Sequence, residues 1–267
     1  MIHELEPDDF TRISHLFQGH RQYLPVFAII HGNFPGRIFV DDKEAPRAAL
    51  VWALSRWAYV DGDPHDDAFK QAIPKLVQNV IIPASLRMNM RWFELYTVDS
   101  PPWRSILEAS LKAHAPVQHY ETVFAFDEQR YQRLRKPLTL PAGLSIARVE
   151  FPILSPPACD APFIDPGFRT RSAFGFQLTR DGHVISVCRS NGFVSGNEFM
   201  IDVVTVEKYE RGKGYATAVG TALLDYCLEH QFVPLWETTL DNIPSRKVAH
   251  KLGFVEDESY PVYAIEF

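Results

Sequence analysis

The chain has 267 residues, 46% hydrophobic and 22% charged, with a formal net charge of -6. That length buries a core without disulfides or structural metals, and the composition leaves no room for extensive disorder. The negative balance argues against a nucleic-acid partner, since phosphate binding needs a concentrated excess of Lys and Arg.

The opening Met1-Ile2-His3-Glu4-Leu5-Glu6-Pro7 has neither the positive flank nor the apolar core of a signal peptide. No later apolar run reaches the length of a membrane span, so a cytoplasmic protein with no membrane partner is expected. Arg37 to Val40 and Ala48 to Tyr59 are strand-like and flank the turn-forming Asp41-Asp42-Lys43, which predicts a hairpin. Asp66 to Leu86 has helical apolar spacing, with Pro74 kinking it or starting a second helix. Arg91 to Val98 reads as an aromatic-rich strand, Pro101-Pro102 opens a helix, and Gln118 to Phe126 alternates as another strand.

Asp127 to Gly143, with Arg130, Arg133, Arg135, Lys136 and then Pro137 and Pro141, reads as a helical turn entering a linker. This places a domain boundary near 140, separating residues 1–140 from 141–267. Phe151 to Gly167 holds five prolines, at 152, 156, 157, 162 and 166, and so is predicted to be irregular or extended. Ala173 to Thr179 and His183 to Ser190 form a predicted hairpin about Arg180-Asp181-Gly182, followed by a long strand from Glu198 to Val206. Tyr215 to Glu229 is helical, Leu235 to Thr239 a short strand, Pro244 to Leu252 a helix stopped by Gly253, and Tyr260 to Phe267 a last strand. The two halves share one element order without a residue-level repeat, as a diverged duplication would. The fold class expected is α/β in the α+β sense, two mixed sheets flanked by helices.

Cys159, Cys188 and Cys227 are an odd set without close pairing and read as reduced structural thiols. The ten histidines are scattered, and no metal is expected.

The most specific signal is Arg211-Gly212-Lys213-Gly214-Tyr215-Ala216, between the long strand and its helix. The glycines let a backbone approach a ligand, and the helix start offers unpaired N–H groups and a positive dipole end, which suits a pyrophosphate. Neither a Walker loop nor a Gly-x-Gly-x-x-Gly dinucleotide loop is present. Val204-Thr205-Val206, then Arg211-x-x-Gly214-x-Ala216, an amphipathic helix, Asn242, and Ala249-His250-Lys251-Leu252-Gly253-Phe254 together resemble the GNAT superfamily of N-acetyltransferases. The likeness covers about residues 170 to 267, and is nearest to a bacterial group with a degenerate N-terminal GNAT-like half.

The resemblance implies two GNAT-like mixed-sheet halves, with 1–140 degenerate and 141–267 catalytic. It implies acetyl-CoA (coenzyme A) as co-substrate, bound by Val204, Thr205 and Val206 along the pantetheine arm and by Arg211, Gly212, Lys213, Gly214, Tyr215, Ala216 and Thr217 at the phosphates. Asn242 and Ser245 fall where the family contacts the cofactor arm, and Asn242 is equally suited to capping the helix behind it. The implied reaction is direct attack of a primary amine, expected to belong to a small molecule, on the acetyl thioester. The alternatives are a protein amine as acceptor, or a module that senses acetyl-CoA without turnover.

Freeing the lone pair of an amine with a pKa of about 10.4 costs about 4 to 5 kcal/mol at pH 7, whereas a thiol near 8.5 already leaves well. A base therefore matters more than an acid. Asp202 is the first candidate, with Glu198 sharing its strand parity and Glu237 on the neighbouring strand; each is also explicable as a solvated or paired carboxylate. Ala249 stands where the family has an acidic Tyr, with His250 and Ser245 as nearby substitutes. Asp61-Gly62-Asp63-Pro64 occupies the corresponding loop of the N-terminal half, an acidic segment poorly suited to pyrophosphate, so one cofactor site is expected.

Overall fold

The β-branched and aromatic runs become strands, and prolines and acidic turn residues set where they stop. The computed structural model describes residues 2–54, 56–153, 166–169 and 171–267. The elements up to residue 126 are β1 (His3–Glu4), α1 (Leu24–Ile30), β2 (Gly36–Val40), β3 (Ala48–Ala53), β4 (Trp57–Gly62), α2 (Asp67–Leu76), α3 (Ile82–Arg87), β5 (Trp92–Tyr96), α4 (Pro101–Leu111) and β6 (Val117–Phe126). They are followed by α5 (Glu128–Leu134), β7 (Leu144–Pro152), α6 (Pro166–Arg169), β8 (Ser172–Arg180), β9 (His183–Ser195), β10 (Glu198–Thr205), α7 (Tyr215–His230), β11 (Val233–Thr239), α8 (Ile243–Lys251) and β12 (Phe254–Glu266).

These residues form two units, and β6 and β12 contribute to both. Unit 1 takes the chain up to Glu121, α6, and Ser259–Phe267; unit 2 takes Thr122–Ile153 and Thr170–Glu258. In unit 1 the strand order is β1-β2-β3-β4-β5-β12-β6. The β2–β3 hairpin forms where the sequence predicts it. Asp42 accepts the N–H groups of Glu44 and Ala45 at 2.8 and 2.9 Å, and Asp41 accepts that of Arg47 at 2.9 Å. The stretch from Ala48 to Tyr59 is two antiparallel strands, because the chain reverses between Ala53 and Trp57. Helix α2 runs through Pro74 and then widens into a π turn over Val77–Ile81 before α3.

Unit 1 buries Trp52 and Trp103 at 0% and 2% exposure, as core aromatics. Trp57 and Trp92 are different: the guanidinium of Arg56 lies over both rings, 4.5 and 4.6 Å from their centroids. Beside them Glu94, His119 and Glu121 bring one ligand-type atom each within 4.8 Å of one another. This group is internally paired, with the Tyr96 hydroxyl donating to Glu94 and Glu121 at 3.2 and 3.4 Å and Arg56 lying 3.5 Å from Glu94.

Unit 2 has the order β12-β6-β11-β10-β9-β8-β7. Its core joins Leu178, Cys188, Phe199 and Ile201 to Val219, Leu223 and Cys227 of α7 and to Trp236, Ala249 and Leu252. The apolar stripe read along α7 therefore faces the sheet. Strand β7 was not foreseen; it is the outermost strand of this order, where Pro152 deprives no neighbour of a ladder bond. The charged stretch after Asp127, read as leading into a linker, begins with a helix docked on α7. Its Tyr131 hydroxyl donates to Asp225 at 2.7 Å and to the carbonyl of Thr221 at 3.2 Å, and Arg135 grips Asp225 with two bonds of 2.7 Å. Of the proline-rich stretch, Phe151 and Pro152 end β7, while residues 154–165, including Cys159, lie outside the described residues. Cys188 and Cys227 are free, buried thiols.

Candidate active site

In unit 2, β10 and β11 run parallel and pair in register from Glu198↔Val233 to Ile201↔Trp236. There the pairing stops, although β10 continues to Thr205 and β11 to Thr239. The strands part into a cleft whose walls are Asp202–Thr205 and Glu237–Thr239. Because aligned residues of parallel strands point the same way, Asp202 and Glu237, each one step past the last pair, present their carboxylates on one side of the cleft mouth. That side is opposite α7, since Phe199, Ile201 and Trp236 face the helix core. Glu198 shares the parity but stands at the closed end of the paired region. It is four residues from Asp202, roughly 13 Å along the strand, so the two carboxylates cannot reach one reacting atom.

Asp202 is half exposed and has Arg189 Nε at 3.6 Å across the β9–β10 ladder. Arg189 is itself held over the ring of Phe151 at 5.0 Å. On the backbone, the Val206 N–H donates to the Ile185 carbonyl at 2.9 Å, and the Val204 carbonyl accepts the Ser186 hydroxyl at 2.9 Å. Both groups point to β9. Successive peptide groups alternate in direction, so within Val204–Val206 it is the Thr205 amide that faces the cleft.

The next segment turns from β10 into α7 with Gly212 at φ 78° and Gly214 at φ 86°. A Cβ built at either would meet nothing within 4 Å, so here the glycines are required by the backbone path rather than by crowding. Gly214 is the N-cap of α7 and supplies no side chain to cap it. Among the described residues, the N–H groups of Gly212 through Thr217 have no protein acceptor. Three features flank the loop. Arg211 Nε lies 3.4 Å from the Thr205 carbonyl, Lys213 donates to Glu210 at 3.0 Å, and Arg180 donates to Glu210 and to the Tyr215 hydroxyl at 2.9 Å each.

The corresponding place in unit 1 is built differently. β4 and β5 also stop pairing at Tyr59↔Tyr96, but four of the amides that follow are taken by protein acceptors. Gly62 N–H goes to Asp61 at 2.7 Å, Asp63 N–H to the Arg47 carbonyl at 2.7 Å, His65 N–H to Asp63 at 2.9 Å, and Phe69 N–H to the N-cap Asp66 at 2.7 Å. An anion there would meet the carboxylates of Asp61, Asp63 and Asp66.

Asn242 caps α8, its side chain accepting the Ser245 N–H at 3.2 Å, and the Ser245 hydroxyl accepts the Trp236 indole N–H at 3.0 Å. Ala249 is fully buried. The His250 imidazole lies 3.3 Å from Glu256 and packs edge-on against Phe124. Sequence reasoning missed Arg180, Arg189 and Glu210. Only the Glu210/Lys213 spacing of three hinted at a bond, and Glu210 looked like one more charge in a charged loop.

The GNAT acetyltransferase family model matches residues 14–263 of this chain. The uncharacterized N-acetyltransferase YdfB of Bacillus subtilis (strain 168) is 26% identical over 271 residues, covering 98% of both chains. Among solved structures, a GCN5-related N-acetyltransferase-like protein from Streptococcus suis 89/1591 superposes with a TM-score of 0.68 at 22% identity, over 97% of this chain and 99% of that one. A tandem GNAT protein from the clavulanic acid biosynthesis pathway gives 0.61 at 14% identity, over 100% and 98%. These two likenesses establish the fold of two GNAT-like halves. No helix among the described residues is long and apolar enough to cross a membrane. The match from residue 14 to residue 263 carries the identification: the chain belongs to the GNAT acetyltransferase family, and is an acyltransferase enzyme of the N-acetyltransferase kind.

Proposed function

We propose that this protein transfers the acetyl group of acetyl-CoA to the primary amine of a small molecule, in the cytoplasm, with residues 141–267 as the catalytic half and 1–140 as the degenerate one. The observation that carries the reading is the parting of β10 and β11 directly beside the uncapped N-terminus of α7. The strand opening suits an extended amide-bearing arm, and the free amides behind Gly212 and Gly214 suit a pyrophosphate. Acetyl-CoA supplies an activated acyl group on a thiol that leaves readily.

The residues of this chain divide the remaining work. The amides from Gly212 to Thr217 hold the phosphates, with Arg211 and Lys213 adding positive charge. Val204, Thr205 and Val206 line the arm, and the Thr205 N–H stabilises the acetyl oxygen as it gains charge. Asp202, with Glu237 beside it, attracts the cationic form of the acceptor and takes its proton, and the amine nitrogen then bonds to the acetyl carbon as the carbon–sulfur bond breaks. The departing thiolate is protonated from solvent, so no side chain need act as acid and Ala249 is no obstacle. Asn242 and Ser245 shape the cleft floor through α8 and Trp236.

Thiol release from acetyl-CoA across a panel of small amines and lysine peptides tests this. Asp202→Asn is expected to lower kcat by about 100-fold with the acetyl-CoA KM unchanged. Gly214→Glu is expected to abolish acetyl-CoA binding through strain and like charge. Turnover with peptides alone would reassign the acceptor, and unchanged cofactor binding in Gly214→Glu would remove the site from this loop.

A further inference from the structure

A buried carboxylate next to an anion site is unfavourable for the anion, and Glu210, only 6% exposed, is such a group. Its two oxygens are divided between two cations, Oε1 accepting from Arg180 and Oε2 from Lys213. Arg180 spends its second nitrogen on the hydroxyl of Tyr215, the first residue of α7. The bonds therefore run from residue 210, through the end of β8, to residue 215, and enclose the glycine loop between them. Within that loop Gly212 and Gly214 have no side chains and no close neighbours, so packing does not fix its path. What holds the loop is the set of side-chain bonds around it.

We propose that Glu210 is a positioning residue of the phosphate loop: through Arg180 and Lys213 it fixes residues 211–214 in the path that leaves the α7 amides free. The inference rests on reading that loop as the acetyl-CoA phosphate site. Glu210 touches no reacting atom. Two cations on one carboxylate leave a net positive charge, so the device organises the loop without cancelling its attraction for phosphate. The Lys213 hydrogen bond and then Arg180 hold the Glu210 carboxyl below its ordinary range, so the anchor stays charged through neutral pH.

The test is Glu210→Gln in the full chain, read by CoA titration calorimetry, steady-state kinetics and amide hydrogen exchange. The expected result is CoA affinity about tenfold weaker and an equally raised acetyl-CoA KM, with kcat at saturation within about twofold of wild type. Exchange is expected to quicken at the bonded amides that border the loop, Arg211 and Ala218, and not along the rest of α7. Tyr215→Phe, which cuts only the last bond of the chain, should weaken CoA binding by about threefold, and the double variant should fall short of the product of the two effects. It also serves if Glu210→Gln fails to fold. CoA binding that is unchanged or tighter in both single variants would show the carboxylate to be a mere electrostatic neighbour and overturn the proposal, as would a loss confined to kcat. A wild-type protein that binds no CoA would instead overturn the reading of the loop, and the proposal with it.

Discussion

Gly214 and Gly253 have the same backbone conformation, φ 86°, in opposite surroundings. Replacing either with Ala forces an L side chain into the left-handed region, at about 1–2 kcal/mol. At Gly214 the new methyl meets nothing within 4 Å, so that conformational cost is the whole effect. At Gly253 the methyl would sit 2.7 Å from the N and Cα of Tyr131, which are backbone atoms of α5 and cannot turn aside as a side chain does. Overpacking of this kind adds about 1–3 kcal/mol and pushes α5 off α7. Urea unfolding should therefore place Gly253→Ala about 2–5 kcal/mol below wild type and Gly214→Ala about 1–2 kcal/mol below. CoA binding should rank them the other way, with Gly214→Ala the weaker binder because its strain is relieved by moving the loop. Equal destabilisation of the two variants would refute the packing of α5 against Gly253. CoA affinity in folded Gly253→Ala as poor as in Gly214→Ala would refute the local character of the loop.

Tyr131→Phe removes a buried hydroxyl that donates to Asp225 and to the Thr221 carbonyl, and should cost about 1–3 kcal/mol in urea unfolding while leaving CoA affinity unchanged. Asn242→Ala should cost about 1 kcal/mol as a lost helix cap; an accompanying fall in CoA affinity would show that Asn242 also contacts the ligand. Burial pushes the Cys227 thiol up to about 12 from 9.0, and burial raises Cys188 as well. A folded pKa raised above the unfolded one gives stability that is complete below pH 9 and lost as pH rises toward 12, so unfolding midpoints should fall over that window and less steeply in Cys227→Ala. At pH 8 both cysteines should resist a thiol reagent until urea unfolds the protein, as mapped by peptide mass spectrometry.

The sequence carried the site further than it carried the fold. Two glycines, the β-branched run before them and the apolar stripe after them are local features, and they placed strand, loop and helix within a residue or two of their observed ends. Pairing partners are not local. Alternation marked Gln118 to Phe126 and Tyr260 to Phe267 as strands, but nothing in either run says that its neighbours lie more than a hundred residues away. Strand β7 was hidden by flanking prolines, and the turn after Ala53 by an unbroken apolar run on both sides. Glu210 and Arg135 were unreadable for another reason: a charged residue looks the same in sequence whether it meets water or a buried partner. Asp202 came first on the sequence as well, but the distance of Glu198 from the open end of the β10–β11 pair depends on both strands together.

The reach of Ser259–Phe267 into unit 1 has a consequence for biosynthesis. Val262 to Glu266 pair with β5, and Tyr260, Val262, Tyr263 and Ile265 are all buried. During translation, the first half of the protein cannot complete its sheet when its own residues emerge; its β5 edge stays open while more than a hundred further residues are made. An open edge strand is a template for misplaced pairing, so the nascent chain needs that interval to be short or shielded. Expression of residues 1–140 alone would yield a unit lacking one of its strands, and a nonsense mutation late in the coding sequence would damage the beginning of the protein.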